Sequence, residues 1–246
     1  MRQAFFITSF NDPESASISM AQFAPLGSTC DLILSDQSTD SACVTEYQRL
    51  CQQHGFRYAH NENQGASEAK RKIVEIASRE EYTLLHQISE DFELVPEGEQ
   101  HPASPLGNKD FLFVKEATKL VTQHPHISFV NWTWFRSSGH DHHGYNWGDT
   151  RSPTDFSLRR LQGFSLFHVP HDVSMMNWPY TGRVEHVAQL QNFARWLTPG
   201  TPHQLKQHEL SGGEWSLAFV SKGKGVSLYA HPVRHRNRVK PEGSLP

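Results

Sequence analysis

Apolar positions fall in short unbroken runs near the N-terminus. Ala4-Phe5-Phe6-Ile7 is such a run, and Asp31-Leu32-Ile33-Leu34 is a second. Runs of this length predict strands covered on both faces. Between them Ser15 to Phe23 has weak helical spacing. After the second run Ser35-Asp36-Gln37-Ser38-Thr39-Asp40 has turn chemistry. Val44, Tyr47, Leu50 and Cys51 then recur at helical spacing up to Gly55, a helix-stop residue. Phe56 to Ala59 predicts a third strand, and Asn61 to Gly65 a loop. Ser67 can cap a helix carrying Ala69, Ile73, Ile76 and Ala77. Tyr82 to Ile88 predicts a fourth strand, ending at Ser89-Glu90-Asp91. Strand and helix thus alternate for ninety residues, which predicts a parallel sheet with helices on both faces. Ligands of such sheets sit at the carboxyl ends of the strands, where both polar clusters fall.

The second half is less regular. Glu97 to Asn108 reads as a Pro- and Gly-rich loop, Lys109 to Gln123 as a helix and Ile127 to Phe135 as a strand. Ser137 to Pro153 reads as a long surface loop containing His140-Asp141-His142-His143, whose spacing in a Gly-rich loop is not diagnostic of metal. Phe164 to Val169 predicts a strand, and Val184 to Leu197 a helix stopping before Pro199-Gly200. The fold class expected is α/β: a single Rossmann-like domain over residues 1–246. Its central sheet is mixed and mainly parallel, and its C-terminal half irregular. Residues 1–96 form the regular half, 97–233 the irregular half and 234–246 a mobile basic tail.

Composition narrows the partners. Of the 246 residues 37% are hydrophobic and 20% charged, as in an ordinary globular protein. A formal net charge of −3 gives no global attraction for nucleic acid or membrane. Cys30, Cys43 and Cys51 match no zinc spacing and read as reduced thiols. No segment has the length of a membrane span, and the expectation is a cytoplasmic protein, or one in the host cytoplasm if viral.

The ordered motifs over residues 4–96 resemble family-two glycosyltransferases of the GT-A fold. Phe10-Asn11 closes the first strand, where the family has a Tyr-Asn or Phe-Asn step. Ser35-Asp36-Gln37-Ser38-Thr39-Asp40 stands where the family has Asp-Asp-Gly-Ser-Thr-Asp. Asn63-Gln64-Gly65 and then Ala69-Lys70-Arg71 stand for an Asn-x-Gly loop and an Ala-Arg-Asn helix. Ser89-Glu90-Asp91, with Pro96 beyond it, stands for Asp-x-Asp. Ser35 and Ser89 replace the first Asp of each acidic motif, and Gln37 replaces its Gly.

The resemblance implies a single GT-A-like domain, with 1–96 the nucleotide-sugar-binding half and 97–233 the acceptor-side half, and transfer of a sugar from a nucleotide-sugar, a UDP-sugar by expectation, to a hydroxyl. Cleavage of the donor releases a diphosphate, whose growing charge a carboxylate-held Mn2+ or Mg2+ can neutralise. Asp91 with Glu90 suits such a hard cation, and His231 is a candidate C-terminal ligand, with His235 behind it. Phe10, Asn11, Asp36, Asn63 and Gly65 would line the donor site, with Asp36 accepting from uracil or ribose. Lys70 or Arg71 would meet the diphosphate. Inversion at the sugar needs a base. Glu185, near the start of a helix, is the first candidate and Asp172 the reserve; a first-turn carboxylate is equally a favourable helix charge.

Trp132, Trp134, Tyr145 and Trp147 lie close in sequence and could stack on sugars or bases. From Lys222 to Lys240 there are six Lys or Arg and no acidic residue. The acceptor is therefore read as a glycan or small hydroxyl compound, or as a hydroxymethylated base in DNA. The alternative is a degenerate module that binds nucleotide-sugar or glycan without catalysis. A nucleotidyltransferase is a weaker reading, because Asn11-Asp12-Pro13-Glu14 is not a Gly-rich basic loop.

Overall fold

The first apolar run lies at the centre of a sheet. In the computed structural model β1 (Gln3–Ser9) is hydrogen-bonded on both sides, with Ala4 to Ile7 fully buried. The structure describes residues 1–63, 66–96, 109–123, 127–132, 157–161, 164–168, 179–188, 224–228 and 233–235. Two units result: Met1–Leu94 with His235–Pro246, and Val95–Arg234. The sequence placed its own division between halves after residue 96.

In the first unit α1 (Pro13–Phe23) follows β1, then β2 (Asp31–Asp36), α2 (Ser41–His54), β3 (Arg57–His60), α3 (Ala66–Arg79), β4 (Leu84–Ser89) and β5 (Phe92–Leu94). The strand order is β3-β2-β1-β4, all parallel. Two crossovers step outward from β1 to β3, and the third returns past β1 to β4. The right-handed rule for such crossovers places α1 and α2 on one face and α3 on the other, and α1 packs against α2. The Phe5 ring stacks on Phe23 of α1 at 5.1 Å. The order reverses between β1 and β4, so the crevice of this sheet lies off their carboxyl ends.

Helix ends follow local chemistry. Asp12 caps α1 by accepting from the Ser15 N–H at 3.0 Å, with Pro13 at the first helical position. Asp40 caps α2 by accepting from the Ala42 N–H at 2.8 Å. Gly55 ends α2 at φ 74°, the left-handed conformation glycine takes without strain.

The second unit contains α4 (Leu112–Gln123), β6 (Ile127–Asn131), β7 (Ser157–Leu161), β8 (Phe164–His168), β9 (Tyr180–Arg183) and β10 (Lys224–Leu228). Its strand order is β9-β6-β10-β8-β7. Here β6 and β10 are parallel and the other pairings antiparallel. The helix expected from Lys109 is a short 3-10 turn over Lys109–Phe111 before α4, with Asp110 and Phe111 at positive φ. In this unit three strands, β7, β9 and β10, fall where the sequence predicts none. β9 occupies residues read as the approach to a helix, and β10 lies inside the basic stretch. The tail expected from residue 234 begins within β11 (Val233–His235).

Trp132 is a core residue, not a stacking platform. It is fully buried, meets Phe113 edge-on at 5.2 Å and donates its indole N–H to Thr181 Oγ1 at 2.9 Å. Trp134, Tyr145, Trp147 and the histidines at 140, 142 and 143 lie outside the described residues.

Candidate functional site

The carboxyl ends of β1 to β4 carry one polar network. Asn11, just past β1, adopts φ 50°, which Asn tolerates better than most residues. Its N–H donates to Ser38 Oγ at 2.7 Å. Its Oδ1 accepts from the Thr39 and Asp40 N–H groups at 3.2 and 3.3 Å, and its Nδ2 donates to Thr39 Oγ1 at 3.3 Å. The Asn amide supplies both acceptor and donor, which explains the residue type. It ties the loop after β1 to the loop after β2.

Glu90 ties the same loop to β4. Both carboxylate oxygens accept from the Phe10 N–H, at 3.0 and 2.8 Å. Oε2 also accepts from the Tyr47 hydroxyl at 3.1 Å, and that hydroxyl accepts from the Asp12 N–H at 2.9 Å. Loss of solvent around the Glu90 carboxyl pushes its pKa well above the ordinary range, and the charge of Asp91 adds to the push. The Phe10 N–H bond opposes it. Burial, then Glu90, also raises the Tyr47 hydroxyl, so it stays protonated. Glu90 was expected beside a metal. Its oxygens instead hold backbone and a tyrosine.

Asp36 closes β2 and is fully buried. Its Oδ1 accepts from the Ser38 N–H at 2.9 Å and Ser9 Oγ at 3.3 Å. Its Oδ2 accepts from the Tyr58 hydroxyl at 2.6 Å and lies 3.4 Å from His60 Nδ1. The expectation that Asp36 meets a ligand directly meets this fact: its carboxylate has no solvent-facing surface.

Ser35, Thr8 and Ser89 stand in register across three adjacent strands. Thr8 Oγ1 donates to the Ile88 carbonyl at 3.2 Å and lies 3.4 Å from Ser89 Oγ, and Asn61 Nδ2 donates to Ser35 Oγ at 3.1 Å. The two serines that depart from the acidic motifs therefore form one neutral row of hydroxyls with Thr8.

The remaining candidates are dispersed. Asp91 lies partly exposed in the turn between β4 and β5. Asn63 is a half-buried loop residue and Lys70 is buried in α3. Arg71 pairs with Glu75 one turn on. Glu185 is exposed and sits second in a helical segment, 184–188, that follows β9. Gly65, Asp172 and His231 lie outside the described residues, and His235 falls in β11. Sequence reasoning missed Tyr47, Tyr58 and His60. The alternation of Tyr58 and His60 along β3, in register with Leu34 and Asp36 of β2, was the available signal.

Among the described residues no group of three His, Cys, Asp or Glu side chains is placed to hold a metal ion. Asp91 offers a hard oxygen at the strand end, but Glu90 and Asp36 are engaged elsewhere. The described residues therefore do not by themselves make a cation site, and a cation here would need further ligands from a bound molecule or from residues outside those described.

No family model and no curated protein matches the sequence. Solved structures do. The chain is similar to glucosyl-3-phosphoglycerate synthase from Mycobacterium tuberculosis, solved with Mn2+, UDP and glucosyl-3-phosphoglycerate. The TM-score is 0.50 at 14% identity, covering 97% of this chain and 73% of that one. It is similar to a mannosyltransferase from Pyrobaculum calidifontis, solved with GDP-Man and Mn2+, at TM-score 0.54 and 8% identity over 99% of this chain and 58% of that one. It is similar to S. aureus TarS, residues 1–349, at TM-score 0.52 and 11% identity over 93% and 58%. The fold is GT-A. In the GT-A chain described here the polar network occupies the switch point between β1 and β4, the position from which open α/β sheets bind ligands. No helix among the described residues is long and apolar enough to cross a membrane.

Proposed function

We propose that this protein is a glycosyltransferase that moves a sugar from a nucleotide-sugar, a UDP-sugar first, to an acceptor hydroxyl with inversion. The observation that carries the reading is the switch-point network on a GT-A fold, with Asp91 at its edge. The similar synthase and mannosyltransferase were solved with UDP or GDP-Man and Mn2+, which supports the donor class.

Asn11, Phe10 and the loop after β2 form one rigid wall for the donor. Lys70 and Arg71, in the first turns of α3, would offer positive charge to the diphosphate. Asp91 and donor phosphates, with His231, would hold a divalent cation, which supplies countercharge to the departing diphosphate. Glu185 is the candidate base for the acceptor proton and Asp172 the reserve. The acceptor proposed is a glycan or small hydroxyl compound. Salt-sensitive DNA binding through the Lys222–Lys240 stretch would redirect it to a hydroxymethylated base in DNA.

The test is hydrolysis of UDP-sugars and GDP-mannose with Mn2+, for the native chain and Asp91→Ala. Release of nucleoside diphosphate by the native chain, and its loss in Asp91→Ala, is expected. Equal release from both would remove Asp91 from the mechanism. The neutral Ser35–Thr8–Ser89 row favours a second reading, a module that binds nucleotide-sugar without cleaving it. Tight UDP binding with no turnover in the presence of diverse acceptors would select it.

A further inference from the structure

The buried Asp36 sits next to a half-exposed histidine. Asp36 and His60 are register partners at the ends of β2 and β3, so both side chains stand on one face. Asp36 is fully buried, whereas 46% of the His60 side chain is exposed. The donor count fixes the imidazole. The one Tyr58 hydroxyl proton goes to Asp36 Oδ2 at 2.6 Å. A carboxylate only accepts, so the 3.1 Å contact between Tyr58 Oη and His60 Nδ1 requires Nδ1 to carry the hydrogen. The 3.4 Å approach of Nδ1 to Asp36 Oδ2 agrees with this. In its neutral form the ring then presents Nε2 as an acceptor. Tyr58 lies beside the imidazole with ring planes 25° apart, which limits its rotation.

From these contacts we infer that His60 Nε2 receives a hydrogen bond from the nucleoside of the bound nucleotide, and that Asp36 is a positioning residue acting through His60. Asp36 has no surface with which to touch a ligand. His60 ends β3 on the edge of the sheet from which ligands are bound, and it is the exposed member of the pair. The matching group is an N–H of the base or a hydroxyl of the ribose. This rests on the nucleotide-sugar reading above.

Calorimetry of the full chain with UDP, and with pyrophosphate as a ligand lacking the nucleoside, tests it. His60→Ala should weaken UDP about five- to tenfold, the worth of one hydrogen bond, and leave pyrophosphate unchanged. His60→Gln, which keeps an acceptor, should restore part of the affinity. Asp36→Asn should weaken UDP in the native background and add nothing to His60→Ala. It should also convert the His60 ring in nitrogen NMR spectra from the Nδ1–H tautomer to a mixture. N3-methyl-UDP and 2′-deoxy-UDP separate base from ribose: the analogue that lacks the partner loses the His60 effect. The inference fails if His60→Ala binds UDP like the native chain, if Asp36→Asn and His60→Ala are additive, or if both analogues keep the full His60 effect. A native chain that binds neither UDP nor pyrophosphate would overturn the nucleotide-sugar reading itself, and this inference with it.

Discussion

Replacing Tyr47 by Phe removes one oxygen from a fully buried ring and leaves its shape otherwise intact. That oxygen accepts the Asp12 N–H at 2.9 Å and donates to Glu90 at 3.1 Å. The Asp12 N–H is part-buried, so depriving it of this partner costs up to about 1–3 kcal/mol, and losing a hydrogen bond to a group that can carry charge costs a similar amount. Glu90 keeps the Phe10 N–H, so the two losses do not sum in full. About 2–3 kcal/mol is expected. With an m-value of about 2–3 kcal/mol/M, the urea midpoint should fall by about 1 M. Circular dichroism follows the transition, and hydrogen exchange at the Phe10 and Asp12 amides reports the site directly. Pairing Tyr47→Phe with Glu90→Gln in a double-mutant cycle should give a coupling above about 0.5 kcal/mol. A loss below about 0.5 kcal/mol, with unchanged protection at Asp12, would refute the network as a brace for the β1–α1 loop.

Other outcomes follow from neighbouring features. Glu90 has a raised native pKa, so above about pH 4.5, its ordinary value, the folded chain holds more protons than the unfolded one. Its contribution is full below that pH and declines as pH rises through the native value, and Glu90→Gln should flatten this part of a stability-against-pH curve. His86 is fully buried against Gln3 Oε1 at 3.0 Å, and burial lowers its pKa to about 3. The unfolded chain then takes the proton first below about pH 6.5, so stability should fall with acidification by up to about 1.4 kcal/mol per pH unit. Urea midpoints at pH 7 and pH 5 should show the drop, and His86→Gln should remove it. A Cβ at Gly182 would lie 2.8 Å from Val187 Cγ2 and 3.3 Å from Tyr180. Gly182→Ala should therefore cost about 1–3 kcal/mol in thermal unfolding, and a neutral result would mean that Val187 repacks freely.

The alternation of the first ninety residues was legible because β1 and β2 carry continuous apolar runs bounded by turn residues, and β4 opens on one. Phe5, Ile33 and Leu85 are buried whichever side they point to, so no register had to be guessed. β9 was hidden for the opposite reason. Tyr180-Thr181-Gly182-Arg183 has no apolar run, and its strand form comes from pairing with Phe129 to Asn131 across fifty residues. β10, Lys224-Gly225-Val226-Ser227-Leu228, reads as basic and glycine-containing until β6 and β8 flank it. At the site, the positions of Asn11, Asp36 and Glu90 were readable from motif order, but the direction of each side chain was not. Hydrogen-bond partners such as Tyr47 and Tyr58 come from other elements, and no local pattern announces them.

Asn11 has a kinetic consequence. Its amide and backbone join the loop after β1 to that after β2 through four hydrogen bonds, while Glu90 and Tyr47 anchor the residues on either side. The entropy lost in ordering this wall is lost when the chain folds, not when a ligand arrives. A nucleotide meeting this face encounters a finished surface, so its association rate there should follow diffusion and ionic strength, with no slow closing phase from these residues. The same rigidity shifts discrimination to dissociation: a molecule that fits poorly cannot draw the wall toward itself and leaves quickly.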